Sequence, residues 1–393
     1  MTTVHSSGTS LVARTVEAEP SRDPLDGFDG HGFAWIGEGI AFVARGVAAR
    51  CRADEAEDLL AGVAVEDGIA RPGTGAIAVG ALPFLDASSA TVVVPARVDG
   101  LDPDGRAWRT DIAPFDARSV APAAPGAAAP GACALHDAWS RDGWHTAVRD
   151  ALGRIDAGDL EKVVLARAVD AVGAAPFDLA RVVAALRAQQ PGCFVFAAPG
   201  IVGASPELLV RRRGHRVISR PLAGTGSTGA ERALAASEKD GREHALVVDA
   251  VADAFADWCE GRPVVQGPHV VGLADVTHLA STVDGRLAPG APGALALALA
   301  LHPTPAVAGT PSDAALEAIF ALEPVNRGLY AGPVGWVDDR GDGEVAVALR
   351  CAQVEGNRAR LHAGAGIVAG SDADAEWDET AAKLQPMLRA LQS

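Results

Sequence analysis

The segment 361–383, LHAGAGIVAGSDADAEWDETAAK, combines a glycine-rich apolar run with a group of charged side chains. Ser371 is predicted to cap a helix on which Glu376, Glu379 and Lys383 follow at spacings of three and four residues. Side chains at this spacing project from one face of a helix. The two neighbouring carboxylates repel each other, and an Mg²⁺ ion, which prefers oxygen ligands, would relieve the repulsion. A solvent-exposed charged face explains the same spacing and stands as the alternative.

The elements that must position this segment are predicted from hydrophobic periodicity. The apolar run 162–172 predicts a strand, and 237–258 predicts a long helix capped by its first residue. Residues 137–152 predict a helix followed by a second short helix near Ile155, and 344–355 predicts a strand. Because strands and helices alternate in groups, we expect an α+β or mixed α/β fold with large β-sheets and helices packed on their outer faces.

Composition divides the chain into unequal parts. Residues 1–28 are polar and are predicted to be disordered, and 29–390 are expected to form one domain. Within it, 29–112 carries no reactive group of residues and is interpreted as a scaffold. Repeated Ala and Pro at 113–132 predict a surface loop. The candidate functional residues all lie in 138–390.

Charge and cysteine content exclude several classes of protein. Fifty acidic residues against 34 basic ones give a net charge of -16, which argues against nucleic acid or an anionic membrane surface as a partner. The five cysteines show no CxxC spacing, so they predict neither a disulfide framework nor a zinc site. The first residues lack the apolar core of a secretory signal, and no apolar run could span a bilayer. We therefore expect a cytoplasmic protein, and the lack of a long apolar or heptad-patterned face predicts a monomer.

Ordered sequence blocks across 138–390 resemble the chorismate-utilising enzymes, and among them the isochorismate synthases. The blocks are EKVVLAR at 161, GASPELL at 203, RPLAGT at 220, SEKDGREH at 237, HLASTVDGRL at 278, LHPTPAVAG at 301, NRGLYAGPVGW at 326, GDGEVAVALRCA at 341 and GAGIVAGSDADAEWDETAAK at 364. The resemblance implies an active site between two sheets, chorismate as the substrate and Mg²⁺ as the cofactor. Residues before the Ala/Pro-rich loop match far more loosely.

Two residues carry the acid–base chemistry that the resemblance implies. Lys162 matches the family's general base, which must be uncharged part of the time to accept a proton from water, a condition that desolvation favours. Glu207 matches the general acid, which must keep its proton near neutral pH until the substrate hydroxyl departs. Read without the resemblance, an exposed lysine at a strand end and a turn glutamate are the simpler interpretations.

The resemblance also implies a metal site. Glu243 and Glu379 match direct Mg²⁺ ligands from two different helices, and Glu376 matches a partner that acts through water. A bound Mg²⁺ would neutralise the ring carboxylate of chorismate and orient the ring.

The remaining implied residues contact the two substrate carboxylates or line the pocket. The contacts are Tyr330, Arg350, Gly364 and Lys383, and the lining residues are Gly224, Thr225, His278 and Ala306. Arg350 is placed within the apolar run VAVALRCA, where a guanidinium favours a bidentate grip on a carboxylate. His244 also matches, as a structural neighbour of the metal ligand Glu243.

Three positions distinguish relatives within the family. Ammonia-using relatives, the anthranilate and aminodeoxychorismate synthases, typically carry Gln where Lys162 stands, and the latter tend to carry Lys in place of Ala223. No glutaminase segment is present, so no glutaminase subunit is expected. Salicylate synthases run the same first step and then eliminate pyruvate, and they commonly carry a larger polar residue at the position of Ala306. The sequence therefore favours a protein that stops at isochorismate, with salicylate synthase as the alternative.

Two other classes of protein account for fewer of these residues. A non-catalytic carboxylate-binding paralogue would be expected to have lost Lys162, Glu207, Glu243 or Glu379, and all four are present. A general Mg²⁺-dependent hydrolase accounts for the carboxylates but not for the lysine or the anion contacts. Whether the product feeds menaquinone or siderophore synthesis stays open.

Overall fold

The computed structural model describes residues 11–19, 24–114, 131–227 and 229–393. The strands are β1 (Leu11–Glu17), β2 (Phe33–Ile36), β3 (Ala41–Arg45), β4 (Ala49–Arg52), β5 (Ala64–Asp67), β6 (Ile77–Ala81), β7 (Thr91–Val94), β8 (Arg97–Leu101), β9 (Ala107–Pro114), β10 (Ala134–Asp137), β11 (Lys162–Val172), β12 (Phe194–Ala198), β13 (Ile201–Ser205), β14 (Leu208–Arg213), β15 (Arg216–Arg220), β16 (Leu222–Ser227), β17 (Val264–Gly272), β18 (Val276–Arg286), β19 (Gly309–Thr310), β20 (Pro333–Asp338), β21 (Gly343–Val347), β22 (Cys351–Glu355) and β23 (Arg358–Val368). The helices are α1 (Ala56–Ala61), α2 (Arg141–Asp156), α3 (Leu179–Gln189), α4 (Glu231–Ala236), α5 (Glu238–Ala256), α6 (Ala294–Leu301), α7 (Ser312–Leu322) and α8 (Ala373–Leu391). Short 3₁₀ turns lie at Pro24–Gly27, Ala53–Glu55 and Ala87–Ser89.

Within the described residues the strands form two large sheets. The first sheet has thirteen strands in the order β10-β11-β23-β22-β13-β12-β2-β3-β8-β9-β1-β5, with β19 paired to β11. The second sheet has ten strands in the order β16-β18-β15-β14-β21-β20-β6-β7-β4, with β17 paired to β18. Both sheets draw strands from the N-terminal scaffold and from the motif-bearing part, so the two parts share each sheet.

Alternation along the strands explains how the first sheet is covered on both faces. On β12, Phe194 and Phe196 join the main core, whereas Val195 and Ala197 join a second apolar cluster. Residues one apart on a strand point to opposite faces, so the two clusters cover the two faces. Burial of a large apolar side chain contributes about 1.5 to 3 kcal/mol each, which makes these two layers the main source of stability.

The main core lies between the sheets. Phe42 of the first sheet packs edge-on against Trp336 of the second, with ring centroids 6.0 Å apart. The second cluster lies under α3 and α8 and contains Leu186 and Met387. The predicted α+β architecture, with large sheets and helices outside them, is confirmed. None of the helices in the described ranges is long and apolar enough to cross a membrane.

The prediction of disorder across residues 1–28 is wrong for part of that range. Leu11–Glu17 forms β1, which pairs with β9 on one side and β5 on the other, because its backbone groups complete the ladders of two strands that follow later in the chain. Residues 1–10 and 20–23 lie outside the described residues. Residues 115–130 of the predicted loop 113–132 also lie outside the described residues, and β9 ends at Pro114, directly before them.

Three local predictions also need correction. One continuous helix, α2, replaces the predicted pair, because the packing of Leu152 and Ile155 against the core outweighs the roughly 1 kcal/mol cost of an internal glycine. Asp372, not Ser371, caps α8 by accepting the backbone N–H of Ala375. The predicted strand 344–355 is two strands, and the bend between them holds Arg350.

Candidate active site

A cavity opens where the chain crosses from one sheet to the other. Glu207 lies in the connection from β13 of the first sheet to β14 of the second, and Arg350 lies in the return connection from β21 to β22. Of the predicted residues, those that line this cavity are Glu207, Gly224, Thr225, Glu243, His278, Ala306, Tyr330, Arg350, Gly364, Glu379 and Lys383. Crossing connections therefore place an acid and a cation at the same site.

Lys162 is the first residue of β11, and its side chain is fully buried beside the cavity. Its Nζ forms an ion pair with Glu243 Oε1 of α5 at 2.9 Å. Gly366 lies on the neighbouring strand β23, and a Cβ there would overlap the Glu243 carboxylate and come within 3.1 Å of Lys162 Cε. A glycine at this position is therefore required for the buried ion pair to form.

Glu207 provides a protonated carboxyl group. The residue is buried, and burial raises the pKa of its side chain to about 8, although the charge of Lys162 and the backbone N–H of Leu222 lower it in part. A carboxylic acid with such a pKa keeps its proton near neutral pH and can donate it. This is the state that a general acid requires.

Arg350 and His278 form a linked pair whose hydrogen bonds define the histidine tautomer. Arg350 Nη2 donates to His278 Nε2 at 3.1 Å, so the imidazole proton lies on Nδ1, which faces the carbonyl oxygen of Gly224 at 3.3 Å. Burial, together with the positive charges of Lys383 and Arg350, holds the pKa of His278 well below its usual range. The histidine is therefore neutral.

The backbone of Arg350 adopts a left-handed conformation, with φ of 47°, which L-residues rarely adopt. The predicted strand environment is thus corrected to a bend that turns the side chain into the cavity. Its Nη1 is buried and has no hydrogen-bond partner within the part of the chain that the structure describes. A buried, unpaired guanidinium nitrogen is suited to bind an anion.

Tyr330, Gly364 and Lys383 meet on another wall of the cavity. Lys383 Nζ donates to the carbonyl oxygen of Gly364 at 3.0 Å, and a Cβ at Gly364 would lie 3.2 Å from the Tyr330 hydroxyl. Burial raises the pKa of Tyr330, so its hydroxyl is a donor. Ala306 and Thr225 complete the lining without adding charge.

The three carboxylates implied as metal ligands each contact a different lysine. Glu243 pairs with Lys162 as described, Glu379 Oε1 pairs with Lys383 Nζ at 2.6 Å, and Glu376 Oε1 pairs with Lys239 Nζ at 2.8 Å. Glu243 and Glu379 line the main cavity, and all three glutamates line an adjoining one. Burial raises the pKa of Glu379, and the negative charges of Glu376 and Glu243 raise it further against the effect of Lys383.

This donor set fits Mg²⁺. Among the described residues, no group of three or more His, Cys, Asp or Glu side chains is close enough to form a ready-made metal cage. Mg²⁺ does not require such a cage, since it is usually held by one or two carboxylates together with waters and substrate oxygens. Glu243 and Glu379 supply two such carboxylates from separate helices, and their mutual repulsion would be relieved by a cation.

Several cavity residues were not predicted. Arg327 is buried and donates to the carbonyl oxygens of Val307 and Val164 at 2.6 and 2.8 Å, while it pairs with Glu323 four residues earlier. The Glu–Arg spacing of four was the signal that could have identified it. His362 is also buried there and stacks on Tyr330, and nothing in its sequence context distinguishes it. His244 donates or accepts through Nε2 with Ser281 at 2.8 Å, in agreement with its predicted structural role.

Comparisons with known proteins show the family of this chain. The family model described as chorismate binding enzyme matches residues 113–392. A putative isochorismate synthase MenF of Mycobacterium tuberculosis (strain ATCC 25618 / H37Rv) is 39% identical over 91% of this chain and 95% of its own length. Isochorismate synthase DhbC of Bacillus subtilis (strain 168) is 43% identical, over 62% of this chain and 66% of its own length.

Solved structures extend the similarity to the fold. The structure titled menaquinone-specific isochorismate synthase MenF from Escherichia coli superimposes with a TM-score of 0.84 at 27% identity, and covers 98% of this chain and 95% of its own. That of a putative 2,3-dihydroxybenzoate-specific isochorismate synthase from Bacillus anthracis superimposes with a TM-score of 0.78 at 31% identity, and covers 93% and 98%. With the family model matching well over half of the chain, this protein is an enzyme that belongs to the chorismate-binding enzyme family.

Proposed function

We propose that this protein is an isochorismate synthase, which converts chorismate to isochorismate. The observation that carries the proposal is that a buried carboxyl group, Glu207, lines the cavity and keeps its proton near neutral pH, while a fully buried lysine, Lys162, pairs with Glu243 of the same cavity wall. The similar proteins named above are isochorismate synthases, which supports the same reaction here.

The proposed acid–base roles follow from this pairing. Lys162 accepts a proton from water, whose oxygen forms a bond to ring C2. The ring double bonds shift, the C4–O bond breaks, and Glu207 donates its proton to the departing hydroxyl so that it leaves as water. Because one C–O bond forms and another breaks, the reaction is expected to be reversible, with each residue taking the opposite role in reverse.

The substrate's two carboxylates are assigned to separate groups. Arg350 offers its unpaired Nη1, and Tyr330 offers its hydroxyl, to the carboxylate of the enolpyruvyl arm. Lys383 and the Gly364 backbone complete the anion contacts. The Lys383 ammonium has three N–H donors, and its bonds to Glu379 and Gly364 use two of them. Each charge-assisted hydrogen bond is strong in a buried site.

Glu243 and Glu379 are proposed to hold Mg²⁺ directly, with Glu376 acting through water. The ion would supply positive charge to the ring carboxylate and help orient the ring. Glu243 would then be shared between the cation and Lys162, with which it pairs at 2.9 Å.

Salicylate synthase remains the second candidate, since elimination of pyruvate from isochorismate would use the same cavity. The small apolar side chain of Ala306 on the cavity wall and the names of the similar proteins favour release of isochorismate. Lys162 and Ala223, at positions where ammonia-using relatives typically differ, favour water as the nucleophile.

The decisive experiment is to incubate the purified protein with chorismate and Mg²⁺ and to identify the products by chromatography. Isochorismate is the expected product, and EDTA should stop its formation until Mg²⁺ is restored. Salicylate plus pyruvate as the dominant products would replace the proposal with the lyase. Full activity in EDTA would refute the metal role.

A further inference from the structure

Arg167 is a buried cation outside the cavity that the proposed mechanism does not use. It lies on β11, and alternation turns it away from the face that carries Val164. The residue is only 4% exposed. Its Nη2 donates to Asp137 of β10 at 2.7 Å, and this is its ion pair within the described residues.

The rest of the Arg167 guanidinium contacts α8. It lies 3.5 Å from the centroid of the Trp377 ring, and its Nη1 donates to Thr380 Oγ1 at 3.2 Å. Trp377 and Thr380 directly follow Glu376 and Glu379 in the sequence. Because Arg167 contacts both Trp377 and Thr380, it determines the direction in which Glu376 and Glu379 project from α8.

Other contacts hold the same part of α8 from the side of α2. Trp144 Nε1 donates to the carbonyl oxygen of Ala373 at 2.9 Å, and the Trp144 and Trp377 rings pack edge to face with centroids 6.1 Å apart. These contacts fix the start of the helix and the outer side of Trp377. Arg141 adds ion pairs to Asp374 and Asp378 on the exposed side of the helix. On the next turn, Arg167 is the side chain of another element that hydrogen-bonds to Thr380 within the described residues, and it does so from the buried side.

We propose that Arg167 is a positioning residue that orients Glu376 and Glu379 of α8 for metal binding. A buried guanidinium with a single carboxylate partner is costly to bury, so its retention suggests a directional role. The planar group stacks and donates at the same time, which the ammonium of a lysine cannot reproduce. The inference rests on the proposed function, in which these glutamates hold Mg²⁺.

The test uses Mn²⁺ alone as a probe. Bound Mn²⁺ is quantified from the decrease of the free Mn²⁺ signal in electron paramagnetic resonance. This measures binding without turnover. Arg167→Gln should weaken Mn²⁺ binding by about 10-fold to 100-fold, the usual range when a residue supporting a metal ligand is removed. The KM for Mg²⁺ should rise in parallel, whereas kcat at saturating Mg²⁺ should stay close to that of the wild type.

Two further variants distinguish the effect of the planar shape of Arg167 from the effects of its charge and of its contribution to stability. Arg167→Lys keeps the charge but loses the planar group, so Mn²⁺ binding should remain weak. Thr380→Val removes the acceptor for Arg167 together with the hydrogen bond that the hydroxyl donates to the Trp377 carbonyl oxygen. It should weaken Mn²⁺ binding less than Arg167→Gln does, and it keeps the proposal testable if Arg167→Gln does not fold. Arg360→Gln is the matched control, since Arg360 of β23 pairs with Asp170 of β11 at 2.7 Å, and no hydrogen bond or ion pair of the described residues joins it to α8.

The outcomes distinguish this inference from the proposed function. Unchanged Mn²⁺ binding in folded Arg167→Gln and Thr380→Val would overturn it, as would an equal loss in kcat, substrate binding and Tm, which would show general structural support only. A wild-type protein that binds no Mn²⁺ would overturn the metal role together with this inference. A product other than isochorismate would overturn the function and leave the positioning role to be decided by the Mn²⁺ measurements.

Discussion

Two buried glutamates near opposite ends of β14 differ in the hydrogen-bond donors that surround their carboxyl groups. Glu344 of β21 is fully buried, and its carboxylate accepts hydrogen bonds from Trp35 Nε1 at 3.0 Å, Arg211 Nε at 2.7 Å and Arg213 Nη2 at 3.1 Å. Glu207, which precedes β14, is 3% exposed and has no ion-pair partner within the described ranges.

The difference in donors distinguishes a glutamate with a structural role from one that can take part in proton transfer. A carboxylate surrounded by donors joins the elements that supply those donors, and here Glu344 links Trp35 of the N-terminal scaffold to the second sheet. A buried carboxyl group without such donors is protonated instead. Glu207 receives a backbone hydrogen bond from Leu222 but no cationic donor within the described residues, so it retains a proton that it can transfer.

The largest effect is expected from the acid–base residues. Lys162→Ala or Glu207→Gln should lower the rate on the order of 10² to 10⁴ in both directions, the usual range for general acid–base catalysis. The double variant should lose much less than the product of the two, because both residues act in one transition state. Steady-state rates measured from chorismate and from isochorismate test this.

Measuring chorismate binding by these variants distinguishes a catalytic role from a role in holding the substrate anion. Chorismate binding by Lys162→Ala, measured by calorimetry, should largely survive because Arg350 and Lys383 remain. Complete loss of binding would make Lys162 an anion anchor instead of a base.

Glu344→Gln should act on stability instead of turnover. It removes the charge that pairs with Arg211 and Arg213, and breaking a buried ion pair typically costs about 3 to 5 kcal/mol. Urea unfolding should show this loss, while the folded fraction keeps a kcat near that of the wild type. The comparison would be wrong if Glu344→Gln left the unfolding midpoint unchanged and lowered kcat as much as Glu207→Gln does.

Arg350→Ala should reduce kcat/KM by an amount corresponding to about 2 to 5 kcal/mol, the cost of truncating one half of a buried charged pair. The carboxylate of the substrate arm would lose its partner in the cavity. Arg360→Gln provides a surface control with no expected change. An unaltered kcat/KM in Arg350→Ala would place the guanidinium outside the substrate contacts.

The effect that is smallest over a single pH unit concerns the pH dependence of stability. The pKa of Glu207 is about 8 in the folded protein against an ordinary value of 4.5, so between these values the folded state holds a proton that the unfolded state releases. Stability from this group therefore falls as pH rises through that window, by up to about 1.4 kcal/mol per pH unit. Glu207→Gln cannot titrate and should lack this slope. Equal slopes for both proteins, in urea unfolding across the window, would show that Glu207 is ionised in the folded state.

The sequence by itself determined the local elements and the order of functional groups. Periodicity predicted β11 and α5 close to their observed bounds, because amphipathic spacing is a property of neighbouring residues. The spacing of Glu376, Glu379 and Lys383 placed them on one helical face, and the ordered motifs indicated the family. The position of β1 was missed, since its ladder partners come from distant parts of the chain.

Only the tertiary structure decided which charges meet. The ion pair of Lys162 with Glu243, the hydrogen bond from Arg350 to His278 and the contact of Arg167 with Trp377 each join separate elements that nothing local specifies. Burial, which raises the pKa of Glu207, likewise depends on how two sheets close over a connection. Electrostatic interactions depend on distance and on the exclusion of water, and both arise only when the chain has crossed between its sheets.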